Sequence, residues 1–347
     1  MNGQERFLSA LSCQRPDRAP VFLRDLTLCL DESGYRTPEV CAGRYDAEKA
    51  YRSIMALHRR LGQDAVVGCV HHVGLDIELM GGEVSYPDYG IPSIVRHPFQ
   101  DISDPELYLP CLGQEGPFPQ VLRCYERVAQ SLQGVAATVF NVEGPLTKAA
   151  LLRGLENLIM DLELEPELAK AIIDHAVLLS RQYLKEAASV ADLDACFIAA
   201  ATDNPEIFRP ETLREMTIPG LERMVRTAGE FSLPVVFHPH GNLVDPANLP
   251  YLDVALETGI KGLQFAENND PVVIRDHIRG RVCNMGGVDT ISTLMLGPEG
   301  RIHAETQAFL RIFHPWQGYV FMCSCSLHRG MPLKHVDSLM RSARSFL

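Results

Sequence analysis

The feature that most restricts the fold is a repeated alternation of short apolar runs with longer stretches of helical spacing. The runs are Ala19–Leu23, Asp64–Val70, Gly134–Val142, Leu193–Ala200, Leu233–Phe237, Gly262–Ala266, Arg281–Met285 and Gly318–Cys323. Most give way to Gly, Pro, Asp, Asn or His, the pattern of a buried strand entering a loop. Between them lie helical patterns, among them Pro38–Leu61, Gly116–Leu132, Glu165–Ala188, Pro210–Gly229 and Arg301–Phe313. Strands that alternate with helices pair in parallel, because parallel neighbours need a crossover connection. Eight such units predict an α/β chain folded as a (β/α)8 TIM barrel, residues 1–347 forming one domain. Gln4–Leu11 is expected to be an N-terminal helical extension. The Gly-, Pro- and Asp-rich stretch from Gly74 to about Leu109 is expected to be an insertion after the second strand, a hairpin or lid over one face. No GxGxxG fingerprint is present, which argues against a dinucleotide-binding sheet.

Composition narrows the partners. A formal net charge of −12 argues against a nucleic-acid surface, which needs clustered Lys and Arg. The ten cysteines, Cys13, Cys29, Cys41, Cys69, Cys111, Cys124, Cys196, Cys283, Cys323 and Cys325, show no CxxC framework. Several sit in strand-like runs as small hydrophobes, which fits a reducing, cytoplasmic protein. The N-terminus is polar and helical rather than a signal peptide, and no run approaches the roughly 18 apolar residues of a membrane span.

In a barrel, chemistry collects where strands end. There the sequence offers Glu143, Asp203, His238, His240, Glu267, Asp289 and the pair Cys323 and Cys325. The stretch LPVVFHPHGN, Leu233–Asn242, places two imidazoles two residues apart at a strand exit, with Pro239 stiffening the link. Zinc accepts nitrogen and sulfur together and keeps one position open at catalytic sites, so two His and one Cys suit it. Glu143, Asp203 or Glu267 could take the fourth place or support a ligating histidine. Residues 323 and 325 share one face of a strand; Cys325, farther out, is the favoured ligand, the alternative being that both sulfurs pack inward. His71 and His72 also follow a strand, but neighbours in an extended chain cannot both point inward. His97, His175, His277 and His335 read as surface residues.

Several phrases resemble the uroporphyrinogen decarboxylase superfamily. ERFLSALSCQRPDRAPV is similar to its opening, EGPLTKAALLRG (Glu143–Gly154) to its GPFT-like segment, IFRPETLREMTIPGLERM to its ISP-containing helix, and CNMGGVDTISTLMLG to its GNVDP segment. The true decarboxylases carry an arginine-rich RQAGRYLPEYR loop after the first strand. Here that place reads LRDLTLCLDESGYR, with only Arg24 close to the strand. A substrate with many carboxylates needs several paired cations, so that activity is not expected.

The second branch it resembles is that of the zinc-dependent methylcobamide:coenzyme M-type methyltransferases, with H-x-C-G-N after a strand and a distant Cys. His238-Pro239-His240-Gly241-Asn242 matches the first motif, with His240 where the family has Cys. Cys325, followed by Pro332 and Leu333, matches the second. The resemblance implies zinc on His238, His240 and Cys325; of the strand-end carboxylates lining the pocket, Glu143, Asp203 and Glu267 are expected to be catalytic. Asn242, Asp289 and His72 are expected to contact the cobamide. No DxHxxG-like segment is present, so the cobamide would be presented by a separate corrinoid protein or bind free, and a small acceptor, such as a thiol, would exchange the methyl group. Replacing one thiolate by a neutral imidazole makes the site more positive and more Lewis acidic, which lowers the acceptor's pKa and damps its nucleophilicity. Two rival expectations remain: a decarboxylase of the porphyrinogen type, and a non-catalytic corrinoid- or metal-binding member of the fold.

Overall fold

The computed structural model describes residues 1–102, 110 and 112–346. Among these, nine strands are found: β1 (Ala65–Val67), β2 (Glu83–Ser85), β3 (Ser93–Arg96), β4 (Ala137–Glu143), β5 (Ala195–Ala200), β6 (Val235–Pro239), β7 (Gly262–Gln264), β8 (Cys283–Val288) and β9 (Tyr319–Cys323). Seven form one curled sheet in the order β1-β4-β5-β6-β7-β8-β9, every neighbouring pair parallel. All residues of β4, β6, β8 and β9 are buried. Burial on both faces explains why these strands read as continuous apolar runs rather than alternating ones. At Gly287 of β8, a Cβ would collide with the Met322 carbonyl, so the close pairing of β8 with β9 admits only glycine there.

The sheet has seven strands where eight were expected. Ala19–Leu23 does not become a regular strand; it and the residues just after it make isolated parallel bridges, Val21 to Phe321 and Asp25 to Leu327. Pro20 has no N–H to donate, and Arg24 takes a left-handed φ of 35° that breaks the extended path. The segment nevertheless touches both edges of the sheet. Phe22 N donates to the Phe321 carbonyl on one side; Asp64 N donates to the Val21 carbonyl and His71 N to the Leu26 carbonyl on the other.

The stretch expected to depart from the regular pattern holds the antiparallel ribbon β2–β3. Its last part, 103–109, and Cys111 lie outside the described residues. The expected N-terminal helix is present at Gly3–Leu11, with a capping box from Asn2 and Glu5. It carries Arg6 into a cluster beneath the sheet. The Asp64 carboxylate, 3% exposed as a side chain, accepts from Arg6 (2.6 Å), Arg18 (2.7 and 2.9 Å) and the Val21 amide (2.8 Å). Arg6 also binds Asp17 at 2.6 Å. Among the described residues no helix is long and apolar enough to cross a membrane, and the nine described cysteines are free.

Candidate metal centre

β6 ends in His238-Pro239, and the chain then turns so that His240 folds back on its neighbour. Gly241, with φ of 86°, makes that turn, and a Cβ there would meet the Asn204 side chain. β9 stops at Cys323, which stays buried in the sheet, and only Cys325 reaches the two rings. One ligand atom from each of His238, His240 and Cys325 lies within 4.8 Å of the other two. The two Nε2 atoms are 3.0 Å apart, and the Cys325 sulfur is 3.7 Å from His240 Nε2. Tetrahedral zinc with ordinary bond lengths would set these separations at about 3.3 and 3.6 Å. The donor set fits the ion.

Protonation states agree. His238 Nδ1 donates to the Gln264 carbonyl at 3.1 Å, which leaves the Nε2 lone pair toward its neighbours. Burial lowers the pKa of His238 to about 4, with the hydrogen bond from Cys325 opposing and His240 adding to the fall. For Cys325, burial opposes the thiolate, yet the two imidazoles and the Arg24 charge outweigh it and hold the thiol well below its usual value. Neutral imidazoles and a thiolate are the forms that bind metal. No carboxylate among the described residues joins this cluster.

Around it lies a second group of buried polar side chains at the same end of the sheet. Arg24 is 4% exposed, with its guanidinium over the Phe197 ring at 4.5 Å. Its Nε and Nη1 have no hydrogen-bond partner among the described residues. Burial works against its charge, while Cys325 and Glu143 support it; an arginine keeps its proton in such a setting. Glu143, the last residue of β4, accepts from His71 at 2.6 Å and pairs with Lys148 at 2.8 Å; Lys148 reaches Asp76 at 2.7 Å. Burial raises the Glu143 pKa, but Lys148 and His71 outweigh it and hold the carboxyl well below the ordinary range.

The other sequence candidates fall in different places. Asp203 is fully buried and accepts from the amides of Leu146 and Thr147 and the hydroxyls of Thr147 and Thr217. Those four donors use the whole carboxylate to start the helix Pro145–Arg153. Glu267 is exposed. Asp289 caps a π-helical turn, Thr290–Met295, through Ile291 N, Ser292 N and Ser292 Oγ. Asn242 is half-buried, with Oδ1 buried and without a partner among the described residues. His71 and His72 are both buried, 2% and 3% exposed. The chain leaves β1 at Val67, so strict alternation no longer applies, and the ribbon covers His72, whose ring meets Tyr86 edge-on at 5.6 Å. His175, read as a surface residue, is buried on the helix Pro166–Val190 with its ring 5.5 Å from Phe99.

A family model described as uroporphyrinogen decarboxylase (URO-D) matches residues 2–346. The chain belongs to that family. It is 23% identical over 278 residues to a methylated-thiol–coenzyme M methyltransferase of Methanosarcina mazei, covering 78% of this chain and 70% of the relative. A solved methyltransferase structure from Methanosarcina mazei shares the fold, with a TM-score of 0.85 and 22% identity over 99% of this chain and 98% of that one.

Sequence reasoning passed over Arg24 as a buried cation, Lys148, Asp76 and His328. Lys148 did leave a signal: a lysine inside the apolar helical run PLTKAALL is buried only if a carboxylate meets it.

Proposed function

We propose that the protein is a zinc-dependent methyltransferase that moves a methyl group between a corrinoid, carried by a partner protein, and a small thiol. The observation that carries this reading is the cluster of two imidazole nitrogens and one sulfur within 4.8 Å at the strand ends. The relative named for methylated thiols and coenzyme M supports the choice of reaction. His238, His240 and Cys325 would hold zinc; bound there, it supplies Lewis acidity that lowers the pKa of a thiol. The chain's own groups do the rest. Gln264 fixes the ring of His238. Arg24, a buried cation with two nitrogens unpartnered among the described residues, takes the negative group of the acceptor, since a charge-assisted hydrogen bond satisfies what burial has left open. Glu143 is the carboxylate we place in catalysis. Asp203 positions the helix that carries Lys148, and Asp289 shapes the turn beside Cys325, whose amide donates to Thr290 Oγ1 at 2.9 Å. Asn242, His72 and the exposed Glu267 are the groups left for the corrinoid side.

Metal analysis with an activity assay tests the reading. The purified protein should hold one zinc per chain, lost in Cys325→Ala and His240→Ala, and should transfer methyl from methylcobalamin to coenzyme M. Protein without bound zinc that is indifferent to both substitutions would end it.

A further inference from the structure

We propose that His71 is the base that takes the proton of the acceptor thiol through Nδ1, with Glu143 holding the imidazolium that results. The inference rests on the methyl-transfer reading above and adds a residue to it.

The argument starts from which ring nitrogen carries the proton. His71 Nε2 faces the Glu143 carboxylate at 2.6 Å. A carboxylate only accepts, so Nε2 carries hydrogen and Nδ1 presents a bare lone pair. That Nδ1 is buried and has no partner among the described residues. The adjacent ring is the opposite tautomer. His72 Nδ1 accepts the Gly74 amide at 3.2 Å, so its hydrogen sits on Nε2. Burial, with His71 adding to it, lowers the pKa of His72 to about 3. It can donate but not accept. His328 has both nitrogens engaged, Nδ1 with Thr27 Oγ1 at 3.3 Å and Nε2 with Ser326 Oγ at 2.9 Å. Of the three imidazoles at this end outside the metal cluster, His71 alone offers a free lone pair in a buried setting.

The charges facing His71 suit a proton that arrives with substrate. Glu143 at the end of β4 accepts from the ring, Lys148 shares that carboxylate, and Asp76 completes the row. From the segment after Pro20 comes Arg24, which senses both Glu143 and Cys325. From beyond β9 comes His328, whose pKa burial lowers to about 4, with Arg24 and His71 adding to the fall and Cys325 opposing. Beneath lie Cys69, raised by burial to about 12, and Tyr183, raised well above its usual value by burial; neither ionises. His71 and Cys325 therefore act on the same neighbours, at the same end of the sheet. Glu143, Asp76 and Lys148 sum to one negative charge, which a protonated His71 neutralises.

The step balances as follows. The thiol S–H bond breaks and its proton passes to His71 Nδ1. A sulfur lone pair forms the S–C bond to the methyl group of the corrinoid. The C–Co bond breaks with its electron pair left on cobalt. In the reverse direction the imidazolium returns the proton to sulfur.

Proton counting tests the assignment without relying on turnover. Coenzyme M is titrated into the zinc-loaded protein in buffers of different ionisation enthalpy, at a pH where the free thiol is protonated. Wild type should release close to no proton per thiol bound, His71→Gln close to one, and Glu143→Gln an intermediate number. Should His71→Gln fail to fold, the ring nitrogen spectrum of the wild type decides: Nδ1 of His71 should become protonated when the thiol binds. In turnover, His71→Gln should cost about 10²–10⁴-fold, the usual contribution of a positioned base, and remove one limb of the pH profile. A full proton released by wild type, or an unchanged Nδ1 signal, overturns the role of His71 and leaves the zinc reading intact. Zinc-loaded protein that binds no coenzyme M removes both.

Discussion

Two clusters of buried charge lie at opposite ends of the sheet, and they are built differently. At the strand starts, Asp64 accepts four hydrogen bonds from Arg6, Arg18 and Val21, and Arg6 spends its nitrogens on Asp64, Asp17 and the Met1 carbonyl. Nothing is left over. At the strand ends, Arg24, His71, His72, Asp76, Asn141 and Gln264 each keep a buried polar atom without a partner among the described residues. A satisfied cluster holds a fold together; an unsatisfied one costs stability and persists where a ligand completes it. The same chemistry, one end closed and the other open, separates scaffold from site.

Acid should split the two ends most widely. In zinc-free protein His72, His238 and His328 have pKa values lowered to about 3, 4 and 4. Their unfolded counterparts titrate near 6.5. Stability is therefore full above about pH 6.5 and falls as pH drops from there toward 4, because the unfolded chain binds protons that the folded one refuses. Asp17, held below the ordinary range by its hydrogen bond from Arg6, keeps its contribution until pH falls through the carboxylate range. Denaturation midpoints followed from pH 7 to 4 should decline; added zinc should raise them most near pH 7 and least near pH 4, because binding it needs deprotonated ligands. A flat profile without zinc would show that the strand ends are not strained by burial.

Substitutions sharpen the contrast. Asp64→Ala should lose about 3–5 kcal/mol in chemical denaturation, the usual cost of stranding a buried partner. Arg24→Met should leave stability unchanged or higher, while KM for an anionic thiol rises about 10–100-fold, the worth of a hydrogen bond to a charged group. Equal destabilisation by both would erase the distinction between the ends. The smallest effect belongs to Asp289→Ala, which removes a half-exposed cap worth about 1 kcal/mol; KM for methylcobalamin should not change.

The meeting of His238, His240 and Cys325 was legible in sequence because its parts are short-range or terminal: a His-Pro-His at one strand exit, a cysteine just beyond another. The alternating pattern likewise gave the parallel sheet. Two things were hidden. One is backbone conformation, since the apolar letters of Ala19–Leu23 do not announce the left-handed turn at Arg24 that interrupts the first strand. The other is pairing at a distance. His71 meets Glu143 across 72 positions, as Lys148 meets Asp76, and no local spacing carries that information. Asp203 shows why strand exits read ambiguously: its carboxylate accepts from the Leu146 and Thr147 amides that start the helix Pro145–Arg153, a role that sequence alone does not separate from chemistry.

Gln264 ties several of these elements together. Its carbonyl accepts from the His238 ring and its side-chain amide donates to the Cys323 carbonyl at 2.8 Å, so a single residue of β7 fastens the ends of β6 and β9. The strands that lead to His238 and Cys325 are thus locked in register by protein alone. On the proposed function, an incoming ion would find its seat already shaped, and its affinity would not be drained by ordering the chain. Discrimination among metals would then fall to the hardness and bond lengths of the donors rather than to any yielding of the frame.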